Sequence, residues 1–193
     1  MATQSQHAIE EELGRAEEEL GRCQEKIAQL RKQLAQPVVQ DYTFTGPNKA
    51  QVALSSLFGA KEDLIVIHNM GASCVYCTMW ADGFNGLLPH LEDRAAFVVI
   101  SPDDVTTQQR FAQQRGWKFT MVSSNGTTFR ADMGFQSGEY VLPGVSVFHK
   151  NADGSITHVS HAPFGPGDAY CSAWHLFDLL PKGSDEWEPK FKY

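Results

Sequence analysis

The sequence predicts an α/β fold preceded by a separate long helix, and three observations carry that prediction. Residues 1–36 place apolar side chains at heptad spacing and hold no proline, the first being Pro37. Residues 64–67 form an apolar run with the length and β-branched content of a buried strand. A glycine-containing turn and a helical pattern opening on Cys74 and Cys77 follow it. Beyond that, strand-like and helix-like stretches alternate, an order that implies a parallel sheet with right-handed crossovers.

Size and composition bound the function. At 193 residues the chain is long enough for one domain with a real core plus an appendage. A formal charge of −7 argues against nucleic acid or an anionic membrane as the main partner. No apolar run approaches the roughly 20 residues of a membrane span. Four cysteines with no secretory leader ahead of them point to a reducing cytoplasm, where a CxxC is catalytic more often than structural.

In the first segment, Ile9, Leu13, Ala16, Leu20, Cys23, Ile27, Leu30 and Leu34 are spaced alternately four and three apart. That is a heptad seam, flanked by Glu, Gln, Lys and Arg. Acidic residues crowd its first half and basic ones its second, a polarity that suits the macrodipole of a single helix. The expected division is a coiled-coil-like helix over 1–36 and an α/β domain over 37–193. The helix is expected to make the protein a homodimer; packing on its own domain is the alternative.

The second segment opens with strand patterns. Residues 42–45 alternate, Gly46-Pro47-Asn48 is turn chemistry, residues 51–54 resume an extended pattern, and 54–58 read as one helical turn before Gly59. The strand at 64–67 then leads to the motif. Cys77, Trp80, Phe84, Leu87 and Leu91 recur at helical spacing, which puts Cys77 on an apolar face and Cys74 at the helix start. Unpaired N–H groups and the positive end of the helix dipole favour a thiolate there, so Cys74 is the candidate nucleophile. Cys77 is near enough to attack a mixed disulfide and release product. A structural zinc site usually wants a second ligand pair, and Cys23 and Cys171 stand alone. Neither metal nor cofactor is expected.

Residues 96–101 read as a second buried strand and 105–115 as a polar-faced helix closed by Gly116. Residues 121–124 and 129–133 read as a short strand and a short helix. Strand 145–148, the Asp153-Gly154 turn and strand 156–160 form a hairpin. A last helix is predicted from Asp168 as N-cap, with Tyr170, Trp174, Phe177 and Leu180 or Pro181 as its buried stripe and Cys171 as a small core residue. The tail, with Trp187, Phe191 and Tyr193, is aromatic enough to dock.

Order of elements and motif spacing resemble the thioredoxin fold over about residues 42–193. Cys74 and Cys77 match its active-site motif, and Pro143 with the following hairpin matches its cis-proline segment. The stretch 97–117, with Ser101-Pro102-Asp103-Asp104, is similar to the peroxiredoxin-type branch. The words CVYCTMWADGFNG and WHLFDLLPKG resemble a bacterial family of unassigned function, filed as predicted dithiol–disulfide oxidoreductases. The resemblance implies a cis Leu142–Pro143 bond, Pro143 as a wall of the substrate groove, and the backbone of Leu142 open to pair with substrate.

The chain also departs from those patterns. His68 stands where thioredoxins carry a buried acid six residues before the first cysteine. It is read either as a proton carrier for Cys77 or as a hydrogen-bonded core histidine. Ser73 replaces the tryptophan before the first cysteine, Val75-Tyr76 replaces Gly-Pro between the thiols, and residues 70–74 lack the proline-threonine-cysteine of peroxiredoxins. With Tyr76 and Trp80 beside the thiols, the expected activity is thiol–disulfide exchange on a protein or small-molecule disulfide or thiol. A thiol peroxidase using Cys74 and a non-enzymatic binding module are the alternatives.

Overall fold

The computed structural model describes residues 2–193, with side chains from Ser5 onward. The chain divides into two compact units, one ending at Gln36 and the other spanning Pro37–Tyr193. The first unit is one helix, α1 (Ala2–Gln33), uninterrupted because it contains no proline. Ile9, Leu13, Leu20, Ile27 and Leu30 are all exposed along it, as is Leu34 just after its end. No described helix is long and apolar enough to cross a membrane.

The second unit is built on an eight-stranded sheet. The short strands β1 (Val38–Val39), β2 (Thr43–Thr45) and β3 (Gln51–Ala53) come first, with 3-10 turns at Pro47–Lys49 and Leu54–Phe58. Next come β4 (Asp63–His68), α2 (Val75–Arg94), β5 (Ala96–Ser101), α3 (Val105–Arg115), β6 (Thr120–Ser123) and α4 (Phe129–Asp132). A separate small hairpin, β7 (Gln136–Ser137) and β8 (Tyr140–Val141), precedes β9 (Gly144–Lys150), β10 (Ile156–Pro163) and α5 (Ser172–Phe177). Strand order across the large sheet is β1-β10-β9-β4-β5-β6-β2-β3. Only β4, β5 and β6 run parallel to their neighbours within that trio; β9 and β10 on one side and β2 and β3 on the other are antiparallel. The sheet is therefore mixed, because each βαβ crossover yields a parallel pair whereas the hairpins add antiparallel edges.

Side-chain alternation splits the core into two layers. Leu64 and Val66 pack with Phe44, Phe129, Phe135 and Phe148 on one face. Ile67 packs with Cys77, Trp80, Phe84, Phe97 and Val99 on the other, under α2. On α2 the buried row is Cys77, Trp80, Ala81, Phe84 and Leu88. Leu87 is 54% exposed, so the stripe turns to Leu88. A 3.6-residue helix drifts that way from a strict heptad.

The C-terminal region also differs from the sequence reading. Helix α5 starts at Ser172 with Cys171 as its flanking residue, not at Asp168. The Asp168 carboxylate instead accepts from the N–H groups of Gly165, Tyr170 and Cys171 and from Trp80 Nε1, which knots the loop ahead of the helix. An aspartate with loop amides within reach closes a turn as readily as a helix. Of the predicted stripe only Trp174 is fully buried; Leu180 is exposed and Cys171 half-buried. The tail docks at two places: the Trp187 ring lies 4.8 Å from that of Phe177, and the Phe191 carbonyl accepts from Arg115.

Candidate active site

Strand β4 ends at His68, and the connection to α2 is held from several sides. Asn69 donates its backbone N–H to Ile100 O at 2.9 Å, its side-chain oxygen accepts from Gly71 N at 2.7 Å, and its amide reaches Cys77 O at 3.4 Å. Gly71 adopts φ +110°, and a Cβ there would lie 2.9 Å from both Asp103 carboxylate oxygens. Only glycine suits that backbone and that close approach. Asp103 in turn accepts from Ala72 N at 2.8 Å and from Ser101 Oγ at 3.3 Å. The loop after β5 thus clamps the loop after β4, at the carboxyl end of the parallel strands where α/β sheets place their sites.

Cys74 is the N-cap of α2: its sulfur accepts from Cys77 N at 3.1 Å. Its carbonyl accepts from Thr78 N at 3.0 Å and Thr78 Oγ1 at 2.9 Å. Its acidity is increased, to a pKa of about 7. The main cause is the Cys77 thiol hydrogen-bonded to its sulfur, the backbone N–H groups of Cys77 and Tyr76 add to it, and burial opposes. Cys77 moves far the other way, because its thiol donates to Cys74, is buried, and lies beside that negative charge. Met70 N, 3.4 Å from Cys77 Sγ, works weakly against this. One thiol is poised to ionise near neutrality and its neighbour keeps its proton.

Around the pair, Ser73 is exposed and Tyr76 half-buried. The Tyr76 ring stacks 6.2 Å from Trp174 and lies 6.4 Å from Trp80, which is itself 3% exposed. Gly144 opposes His68 in the β9–β4 register, so Pro143 lies one step further, level with Asn69, at the end of the sheet that carries the thiols. The Leu142–Pro143 peptide is trans, as is every described peptide bond, which corrects the expected cis bond. Both flanks of the proline are tied into ladders: Leu142 N donates to Phe135 O and Pro143 O accepts from Phe164 N, each at 3.0 Å. An extended trans segment satisfies both bonds. The Leu142 N–H is therefore engaged inside the chain and not open to a substrate strand.

His68 is not brought to Cys77. It is fully buried, its Nε2 pairs with Ser146 Oγ at 2.9 Å, and its ring stacks on Phe135 at 4.0 Å and Phe129 at 5.6 Å. These partners belong to the layer opposite α2, since successive residues of a strand face opposite sides and Ile67 takes the α2 side. Burial, with the nearby charge of Arg130 and of His158 and His161, keeps His68 neutral, well below the usual histidine range. Gly144 makes room for this stack: a Cβ there would meet the Phe135 ring at 2.1 Å.

Sequence reasoning did not single out Asp103 or Arg130. Arg130 is 3% exposed and its guanidinium reaches Asn69 O at 3.5 Å, with Asp103 as its charge partner. For Asp103 a signal existed, because the loop after a neighbouring parallel strand must lie beside the CxxC loop. For Arg130, on a four-residue helix distant in sequence, none did. The words WADGFNG prove to be fasteners. Trp80 bonds Asp168, Asp82 pairs with Arg115 and accepts from Trp117 Nε1 at 2.8 Å, and Asn85 bonds Gly116 O and Lys118 N. They tie α2 to the loop after α3 and to the C-terminal region. Among the described residues, no group of three or more His, Cys, Asp or Glu side chains is arranged to hold a metal ion.

The fold of the second unit, a mixed sheet with a parallel centre and antiparallel flanks, is thioredoxin-like and similar to that of peroxiredoxins. The peroxidoxin BcpB of Mycobacterium tuberculosis matches with a TM-score of 0.55 at 23% identity, over 66% of this chain and 84% of that one. A cysteine-to-serine mutant of peroxiredoxin Q from Xanthomonas campestris gives 0.51 at 19%, over 64% and 80%. Reduced Prx3 of Vibrio vulnificus, in complex with hydrogen peroxide, gives 0.56 at 11%, over 70% and 90%. At these identities the likeness is one of fold. The chain belongs to the family described as "Bacterial protein of unknown function (DUF899)", whose model matches residues 2–193. The search of curated proteins returned no match.

Proposed function

We propose that this protein is a dithiol–disulfide oxidoreductase in which Cys74 is the nucleophile and Cys77 the resolving thiol. The observation that carries the reading is the placement of the pair: the half-exposed Cys74 sulfur caps the N-terminus of α2 and accepts from the Cys77 N–H at 3.1 Å, while Cys77 is buried. The Cys74 thiolate attacks a substrate disulfide, forming a Cys74–substrate bond and expelling one substrate thiolate, which takes a proton from solvent. With Cys74 no longer anionic, Cys77 loses the charge that held its proton. Its sulfur then attacks Cys74, its proton passes to the departing second thiolate, and a Cys74–Cys77 disulfide remains. Two electrons move from the protein to the substrate, and an external dithiol restores the pair. Exposed Ser73 and half-exposed Cys74 and Pro143 would form the face that meets the substrate.

The test uses insulin as the disulfide substrate with dithiothreitol as reductant. Cys74→Ser should be inactive, and Cys77→Ser, mixed with insulin without dithiothreitol, should accumulate a mixed disulfide visible as added mass. Peroxide reduction is the second reading, favoured by the peroxiredoxin-type fold. Hydrogen peroxide consumption that needs Cys74 but not Cys77, with no exchange on insulin, would replace the first reading by the second.

A further inference from the structure

We infer that α1 pairs with the α1 of a second copy of the chain, antiparallel and in a single register, with Leu13 against the second copy's Leu30. Seven seam positions, from Ile9 to Leu30, lie within α1, and Leu34 follows its end. The large apolar ones are all about half exposed or more, although a 32-residue helix carrying Gly14 and Gly21 has little stability of its own. A covered seam is what such a pattern is built for.

The flanking charges select both the partner and its direction. With Leu13, Leu20, Ile27 and Leu34 in the a positions, the residues after each d position (e) are Glu10, Glu17, Gln24 and Arg31. Those before each a position (g) are Glu12, Glu19, Lys26 and Gln33. In a parallel pair g meets e of the next heptad, which sets Glu12 against Glu17 and Lys26 against Arg31. Every charged pair then repels. In an antiparallel pair e meets e and g meets g, which sets Glu10 against Arg31 and Glu19 against Lys26, each twice by the two-fold axis. Every charged pair then attracts, and the rest are Glu–Gln. The same inversion stacks Ile9 on Leu34, Leu13 on Leu30, Ala16 on Ile27 and Leu20 on Cys23. A surface complementary to itself under a two-fold rotation fits a second copy of the same helix.

The chain of 193 residues tests this. Light scattering at micromolar concentration should return twice the chain mass; the single-chain mass would overturn the inference. With Cys23, Cys74, Cys77 and Cys171 replaced by serine, the Leu13→Cys/Leu30→Cys variant should give a disulfide-linked dimer on mild oxidation, and Leu13→Cys alone should not. Linkage of Leu13→Cys alone at an equal rate would mean a parallel pair. Charge substitutions leave the seam intact and read direction independently. Lys26→Glu should weaken the antiparallel dimer about tenfold at low ionic strength, and Glu19→Lys/Lys26→Glu should restore it. A parallel pair would instead tighten with Lys26→Glu, since the clash with Arg31 is relieved.

Discussion

Cys74 accepts and Cys77 donates, and the chemistry of the site begins with that asymmetry. Removing the donor should undo it. In Cys77→Ala the pKa of Cys74 should rise from about 7 towards the ordinary thiol value of about 8.5. Its alkylation by iodoacetamide at pH 7 should slow about tenfold, and the midpoint of the rate–pH curve should move up with it. An unchanged midpoint would assign the acidity to the helix terminus alone. His68 offers a second titration. Its folded pKa is depressed, so below its unfolded value of about 6.5 the unfolded chain binds a proton that the native chain does not. Stability is therefore full above that pH and declines as pH falls. His68→Gln, which cannot titrate, should remove up to about 1.4 kcal/mol per pH unit of that decline, measured by urea unfolding at pH 7, 6 and 5. The identity of His68 is plain in the sequence, but its orientation is not, because a shift of one residue along a strand moves a side chain to the other face.

At the scale of elements, the best-read parts are those whose signals are local. Helix α3 begins after Asp104, which caps Thr107 N at 3.0 Å, and ends at Gly116 in the left-handed conformation, so both stops lie within the segment they bound. The Asp153-Gly154 turn likewise sets the β9–β10 hairpin, although β10 runs on to Pro163 through an irregularity between His158 and Ser160. Asp168 departs from its sequence reading because its carboxylate closes a local turn on the amides of Gly165, Tyr170 and Cys171, and Pro143 departs because its flanks are tied to Phe135 and Phe164. Asp103 acts in the same long-range way, which yields a prediction for the β4–α2 loop. Asp103→Ala leaves the Ala72 N–H without its acceptor and removes the carboxylate packed beneath Gly71. The expected cost is about 1–2 kcal/mol. Faster amide exchange should be confined to the loop from Asn69 to the start of α2, and Cys74 should lose reactivity as its cap loosens. Exchange rising equally throughout the domain would mean that Asp103 supports the fold in general and not the thiol loop.

For the whole molecule, the change from heptad spacing to strand alternation near Pro37 is legible because the two periods differ and a proline separates them. The strand order is not, since pairing β2 with β6 and β1 with β10 joins segments about 80 and 120 residues apart. Those pairings decide where the chain can be cut. Pro37 O accepts from His158 N at 3.0 Å, and Val38 and Val39 pair with Thr157 and Ile156, so the ladder of the second unit begins at residue 37. A chain of residues 37–193 keeps every one of those bonds and both core layers. It should fold, melt cooperatively within a few degrees of the full chain, and retain the acidity of Cys74, while losing self-association through α1. Cutting four residues later gives 41–193, which removes β1 and the Pro37 carbonyl and leaves the outer edge of β10 uncovered. An uncovered edge strand invites pairing between chains, so this version should melt lower and aggregate on concentration. Equal melting temperature and solubility for the two shortened chains would show that β1 adds nothing to the domain. Loss of folding in 37–193 itself would show that residues 1–36 are needed for the domain to form.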